Sequence, residues 1–261
     1  MRPVGVIGPL AVDVVAGGEP RIGGGPWHAA RALHTLRHDA IIIAKCGEAR
    51  HRDFQRRLAS LGLPTAVSVG KLQTGFSFSY DENGARTMHV DSIGDPLVAD
   101  DVPAPFLRRA DFLHVVPLLR GDVDRHLLAR LARGHRLALD GQGLVRERRV
   151  GPLELSAEFD RGLLEHVSVL KVAEEEAAAI GDVSSLGVPE VIVTAGARGA
   201  RVIAGARNEH VPARYVAADP TGAGDAFAVA YLAARSDGHA PTSAARSATA
   251  LVGALLAGNG R

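Results

Sequence analysis

The segment Asp219-Pro-Thr-Gly-Ala-Gly-Asp225-Ala-Phe-Ala-Val-Ala-Tyr231 sets a Gly-Ala-Gly turn directly before a run of good helix formers. A helix start presents unpaired N–H groups and the positive end of the dipole, so it suits an anion. Glycines at 222 and 224 allow the backbone to approach that anion closely. Asp225 then stands in the first turn of the helix beside the anion. A carboxylate there can take a proton from an incoming hydroxyl group. The competing reading of a bare Gly-x-Gly-Asp is a loop whose acid only stabilises the helix dipole.

Four other segments carry residue types of the same kind. Gly8-Pro-Leu-Ala-Val-Asp13 follows the opening strand, and Asp13 can accept hydrogen bonds from neighbouring hydroxyls of a polyol. Ile22-Gly23-Gly24-Gly25-Pro26-Trp27-His28 places glycines at a helix start, where a ligand can lie against bare backbone. Trp27 can stack on a ring or serve the core. Val169-Leu-Lys171-Val-Ala173-Glu174-Glu175-Glu176 runs from a strand into an acid-rich helix start, which the dipole alone would favour. Val191-Ile-Val-Thr194-Ala-Gly196-Ala-Arg198-Gly199 ends a strand with a hydroxyl and two glycines, suited to phosphate or to a plain turn.

Together these segments resemble the ribokinase-like, phosphofructokinase-B type carbohydrate kinases. The longest match is the Asp-Pro-Thr-Gly-Ala-Gly-Asp string with Ala-Phe after it. The resemblance runs from residue 4 to about residue 256 and is only an outline over 50–110 and 140–160. It implies ATP-dependent transfer of the γ-phosphoryl group to a hydroxyl of a sugar or related polyol. Asp225 would be the base, with Gly222, Ala223 and Gly224 holding the developing charge. Asp13, Gly23, Gly24, His28 and Gln142 would bind the acceptor. Lys171, Thr194, Gly196, Gly199 and Thr221 would contact the nucleotide, and Glu176 would place Mg2+. The sequence departs from the family at two Asn positions, which read here as His28 and Ala173. The run Asp140-Gly-Gln142-Gly-Leu-Val-Arg146 resembles the inositol kinase branch, so a cyclitol such as myo-inositol, or a nucleoside, is an alternative acceptor. In that run Gln142 can bond a hydroxyl or phosphate, and Arg146 can pair with a phosphate or an acid. A phosphorylated acceptor would need a cationic cradle, for which Arg86 and Arg120 are the candidates. A reading of another class is a non-catalytic sugar- or nucleotide-binding regulator on a kinase scaffold. A dinucleotide-dependent oxidoreductase is disfavoured, because no Gly-x-Gly-x-x-Gly follows the opening strand.

The elements that must position these residues show in the periodicity. Val4–Ile7, Ala40–Ala44, Phe112–Val116, Arg136–Leu139, Val167–Leu170 and Val191–Thr194 read as buried strands. Trp27–Arg37, Phe54–Leu61, Val123–Arg133, Glu158–His166, Glu174–Ile180, Ala223–Ala234 and Thr242–Leu256 read as helices. Such alternation predicts α/β architecture with a mostly parallel sheet, its ligands beyond the carboxyl ends of the strands. With the resemblance this becomes a three-layer α/β/α sandwich, one domain over 1–261. Thr74-Gly-Phe-Ser-Phe-Ser-Tyr80 alternates apolar and polar residues, Asp81-Glu-Asn-Gly84 supplies a turn, and Ala85–Val90 returns. This hairpin, about 72–92, can form a small β lid with about 10–22, or be an ordinary edge hairpin.

Thirty basic against twenty-nine acidic side chains give no electrostatic case for nucleic acid or a membrane surface. Arg146, Arg148 and Arg149 read as solvated surface rather than as a phosphate track. Hydrophobic content of 46% fits a globular protein, and the start has no signal-peptide layout, so a cytoplasmic location is expected. The single cysteine, Cys46, excludes an intrachain disulfide and reads as a buried structural thiol. Family members pair through the lid, which implies a homodimer as one arrangement. Some depend on a monovalent cation such as K+, a requirement that the residues leave open.

Overall fold

The computed structural model describes residues 2–80, 86–108, 110–216 and 221–258. In chain order the elements are β1 (Val4–Pro9), β2 (Ala11–Val15), β3 (Arg21–Gly23), α1 (Gly25–Thr35), β4 (Ala40–Gly47) and α2 (His51–Ala59). Then come β5 (Thr65–Gly70), β6 (Thr74–Tyr80), β7 (Arg86–Ser92), α3 (Ala104–Leu107), β8 (Phe112–Val115), α4 (Arg125–Leu131) and β9 (Arg136–Asp140). They are followed by α5 (Gln142–Val145), β10 (Gly151–Pro152), β11 (Val167–Ala173), α6 (Glu174–Ile180) and β12 (Glu190–Thr194). The last are β13 (Ala200–Ala204), β14 (Arg207–Val211), α7 (Ala223–Ser236) and α8 (Pro241–Gly258).

Nine strands form the main sheet in the order β14-β13-β12-β11-β9-β8-β1-β4-β5. From β12 to β5 every pair is parallel, and β13 and β14 are added antiparallel at one edge. The central strands β1, β4 and β8 are buried along their whole length, as a sheet covered on both faces requires. Alternate strand residues point to two apolar layers. Val6, Ile42, Phe112 and Ala138 pack with α1, α2, α7 and α8, whereas Ile7, Ile43, Leu113 and Leu137 pack with α3 to α6. The main sheet is thus the middle layer of a three-layer α/β/α sandwich, as expected.

A second sheet, of five strands, has the order β10-β7-β6-β2-β3. The alternation in Thr74–Tyr80 sends Phe76 and Phe78 to one face, where they pack with Ala11, Val90, Leu118 and Leu119. The turn expected at Asp81–Gly84, with Ala85, lies outside the described residues. The strand β10 was not legible, because two residues carry no period; it pairs with β7 through Gly151↔Val90 and Pro152↔His89.

One expected helix is absent. Within Glu158–His166 only a single 3-10 turn forms, at Arg161–Leu164. Gly162 weakens a helix there, and Asp160 caps the short turn by accepting from the Gly162 N–H at 2.9 Å. In α4 the helix begins later than the periodicity suggests, because Asp124 caps it by accepting from the Leu127 N–H at 2.7 Å. Nor are Arg146 and Arg148 solvated surface. Arg148 donates to buried Asp122 and to the Gly94 carbonyl at 2.5 Å, which ties the loop before β10 to the end of β7.

Candidate active site

A cavity of about 630 Å³ opens at the carboxyl ends of β9, β11 and β12, between the main sheet and the five-stranded sheet. Four helix starts reach its wall, those of α1, α5, α6 and α7. Of the residues singled out in the sequence, Asp13, Gly24, His28, Gln142, Lys171, Glu176, Thr194, Gly196, Gly199, Thr221, Gly222, Ala223, Gly224 and Asp225 all line it. Gly23 does not. It backs Asp13, and a Cβ there would fall on the Asp13 carboxylate. Trp27 is half-buried against the core and does not line the cavity, and Cys46 is buried with its thiol pushed up to about 11 by burial.

The turn before α7 is built for close approach. Gly222 is the N-cap, with a left-handed φ of 80°. A Cβ at Gly222 would stand 2.5 Å from His28 Nδ1, so glycine is required both by conformation and by space. Asp225 follows in the first turn of α7. The Nζ of Lys171 lies 3.2 Å from the point that a Cβ on Gly224 would occupy, so a cation sits directly against this turn.

Lys171 is the hub of the charges. It donates to Asp140 Oδ2 at 3.1 Å and is 12% exposed against 1% for its partner. Burial alone would lower its pKa, but Asp140, Glu176 and Asp225 together hold it above the usual lysine value, so it stays charged. Asp225 is pushed up to about 7, first by burial, then by the charges of Asp140 and Asp13, while Lys171 and Arg146 oppose the rise. A carboxylate poised near neutrality is matched to accepting a proton at neutral pH. One layer below, on β8, His114 is fully buried and held neutral, its pKa lowered to about 3 by burial and by Lys171.

The residues expected to contact a nucleotide come from strand ends. Thr194 ends β12, and its hydroxyl donates to the Val172 carbonyl at 3.3 Å. Gly196 begins a short 3-10 turn and Gly199 caps its end, both with positive φ. Beyond them the wall turns apolar, with Ala195, Ala197, Val216, Val252 and Leu256, and Tyr215 stands at its edge, 73% exposed. At the other end Asp13 and Gln142, buried at 6% and 8% exposure, face a wall of Phe76, Phe78, Met88 and Leu118.

Glu176 is 1% exposed, and both of its oxygens are engaged. Oε1 accepts from Arg146 Nη2 at 3.1 Å, and Oε2 accepts from the Ala173 N–H at 2.8 Å. Each oxygen of the carboxylate expected to place Mg2+ is thus already engaged, one of them by a buried guanidinium, so a direct metal bond there would compete with that ion pair. No cluster of three or more His, Cys, Asp or Glu suited to a metal occurs among the described residues. Arg120, a candidate cradle for a phosphorylated acceptor, donates instead to Leu144 O, Glu147 and Ser156 O, at 3.0 Å each, and does not line the cavity. The Arg86 side chain lies outside the described residues. The role of Asp140 was not legible as such, whereas pairing of Arg146 with an acid was one of the two readings of the Asp-x-Gln-x-x-x-Arg run, and the acid is Glu176.

Residues 12–259 match the sequence profile described as pfkB family carbohydrate kinase. No curated protein matches the chain. Among solved structures, it resembles a pyrophosphate-dependent kinase in the ribokinase family, complexed with a pyrophosphate analog and myo-inositol. That likeness has a TM-score of 0.83 at 23% identity and covers 97% of this chain and 95% of the other. The Thermotoga maritima ribokinase gives 0.73 at 18%, covering 98% and 93%. A Burkholderia thailandensis nucleoside kinase in complex with inosine gives 0.76 at 19%, covering 97% and 90%. These three are likenesses of fold.

Proposed function

The chain belongs to the pfkB family carbohydrate kinases and is a phosphotransferase with an alcohol acceptor; on that premise, we propose that it transfers the γ-phosphoryl group of ATP to a hydroxyl of an uncharged polyol. The observation that carries this reading is Asp225, poised near 7, in the first turn of a helix whose Gly-Ala-Gly start lines the same cavity. Asp225 takes the proton of the attacking hydroxyl as its oxygen bonds to phosphorus. The bond from phosphorus to the bridging oxygen breaks, and ADP leaves with that electron pair. The N–H groups of Gly222, Ala223 and Gly224 and the Lys171 ammonium face the charge that develops on the phosphoryl oxygens. Thr194, Gly196, Gly199 and Thr221 hold the donor phosphates, and the apolar wall of Val216, Val252 and Leu256 receives the base.

The acceptor reading rests on charge. Asp13 and Gln142 offer partners for hydroxyls, and Asp13 and Gly24 with His28 orient the ring. Among the described residues the cations at this end, Lys171 and Arg146, are already paired with Asp140 and Glu176, which speaks against a phosphate on the acceptor. The five-stranded sheet acts as the lid, its Phe76 and Phe78 keeping water from competing as nucleophile. A cyclitol such as myo-inositol is the second reading, favoured by Gln142 and Arg146 standing together at the cavity wall.

A panel assay tests both. Ribose, fructose 6-phosphate, myo-inositol and adenosine are offered with ATP and, separately, with pyrophosphate. Turnover of a neutral polyol with ATP is expected. Turnover with pyrophosphate alone would replace the donor, and no turnover of any acceptor would leave a binding protein on a kinase scaffold.

A further inference from the structure

The carboxylate at Glu176 occupies the place where the resemblance calls for a magnesium-positioning group, yet its surroundings hold it for something else. Ala173 stands where the family has Asn, so the N-cap of α6 has no side-chain acceptor of its own. Glu176 reaches back to the Ala173 N–H at 2.8 Å and supplies the side-chain bond that this helix start would otherwise lack. Its second oxygen takes Arg146 Nη2 at 3.1 Å, and both side chains are withdrawn from solvent, at 2% and 15% exposure. Arg146 Nε is buried without a partner among the described residues, so the guanidinium leans heavily on this one carboxylate.

Turning Glu176 toward a cation would strip the Ala173 N–H and leave the buried guanidinium uncompensated, both costly changes. Lys171 and Arg146 also stand as two fixed cations in that corner, each already neutralising one of its carboxylates. The pair has a further geometric consequence. Arg146 directly follows α5, which begins with Gln142 at the acceptor end, while Glu176 lies in the first turn of α6, beside Thr194 at the donor end. The ion pair therefore braces the two ends of the cavity against each other.

We infer that Glu176 is a positioning residue locked by Arg146, and that the corner it shares with Arg146 and Lys171 holds no divalent cation of its own: such a cation enters there only on the oxygens of the phosphoryl donor. This rests on the kinase reading for the donor, but its test does not. Free divalent cation then has no effect on the rate beyond forming the metal–donor complex.

Titration of the donor-free protein with Mn2+, followed by the electron paramagnetic resonance of the free ion, reads the site directly. The signal is expected to equal that of buffer, and binding tighter than about 10⁻⁴ M is absent. Quenching by one equivalent of wild-type protein, relieved in Glu176→Gln, would overturn the inference whether or not the panel finds a kinase. The wild-type titration alone remains decisive if that variant fails to fold. In active protein, Glu176→Gln is expected to raise KM for the acceptor while leaving the metal concentration at half-maximal rate unchanged. A shift of that metal midpoint would equally overturn it.

Discussion

His28 Nδ1 stands 2.5 Å from the point that a Cβ on Gly222 would occupy, so helix α1 is packed directly against the Gly-Ala-Gly turn of α7. The residue that replaces the family's Asn thus shapes the turn as well as facing the cavity. Gly222→Ala meets both the imidazole and a left-handed backbone, and is expected to lower kcat/KM by about a hundredfold, the scale of a misplaced catalytic group. Adding His28→Ala should restore part of that loss by removing the clash, though not the strain in φ. Full rescue would show that space alone matters at Gly222.

Asp225→Asn should fold and bind donor yet lose more than about a hundredfold in turnover, the low end for a general base. Stability supplies an independent readout. The folded pKa of about 7 lies above the unfolded value of 3.8, so native Asp225 holds a proton that the unfolded chain releases. Stability from this group is present at low pH and is lost as pH rises from 3.8 through about 7. The Asn variant is therefore expected to be roughly 1–3 kcal/mol more stable than wild type at pH 8, measured by urea unfolding. A variant less stable at that pH would show that the carboxylate is not desolvated.

The pH profile should carry the same group. With Asp225 as base, kcat/KM rises with pH through an apparent pKa near 7 and then levels. Lys171 opposes the rise of that pKa, so Lys171→Met is expected to move the acid limb to higher pH; Asp140 promotes it, so Asp140→Asn should move the limb lower. Limbs that stay in place in both variants would assign the titration to another group.

At the acceptor end, Gln142→Leu keeps the volume of a buried side chain but removes its hydrogen bonds. The acceptor KM should rise about tenfold, the scale of one lost neutral hydrogen bond, with the donor KM unchanged. Initial rates at varied acceptor and donor separate the two.

Much of this was legible before any coordinates. The six expected strands all form, and the Gly-Ala-Gly turn opens a helix as its residues require. The Thr74–Tyr80 alternation put Phe76 and Phe78 on one face of a strand, and they pack together in one apolar cluster. The two residues of β10 offered no period, and in Glu158–His166 Gly162 and the Asp160 cap overrode an apparent one. Asp219 and Pro220, the start of the longest motif, lie outside the described residues.

Local chemistry decided what the sequence could decide: where strands and helices lie, where a helix start can take an anion, and which acid stands in its first turn. These depend on neighbours within a few positions, and side-chain period and turn residues report on such neighbours. Which charges pair was left to the tertiary structure. Lys171 meets Asp140 from 31 positions away, and Glu176 meets Arg146 from 30. Only the parallel stacking of β9 beside β11 brings those strand ends, and the helix starts after them, into one corner. A buried carboxylate answers to the nearest cation in space, so the same glutamate that reads as a metal residue in the chain is claimed by an arginine in the fold.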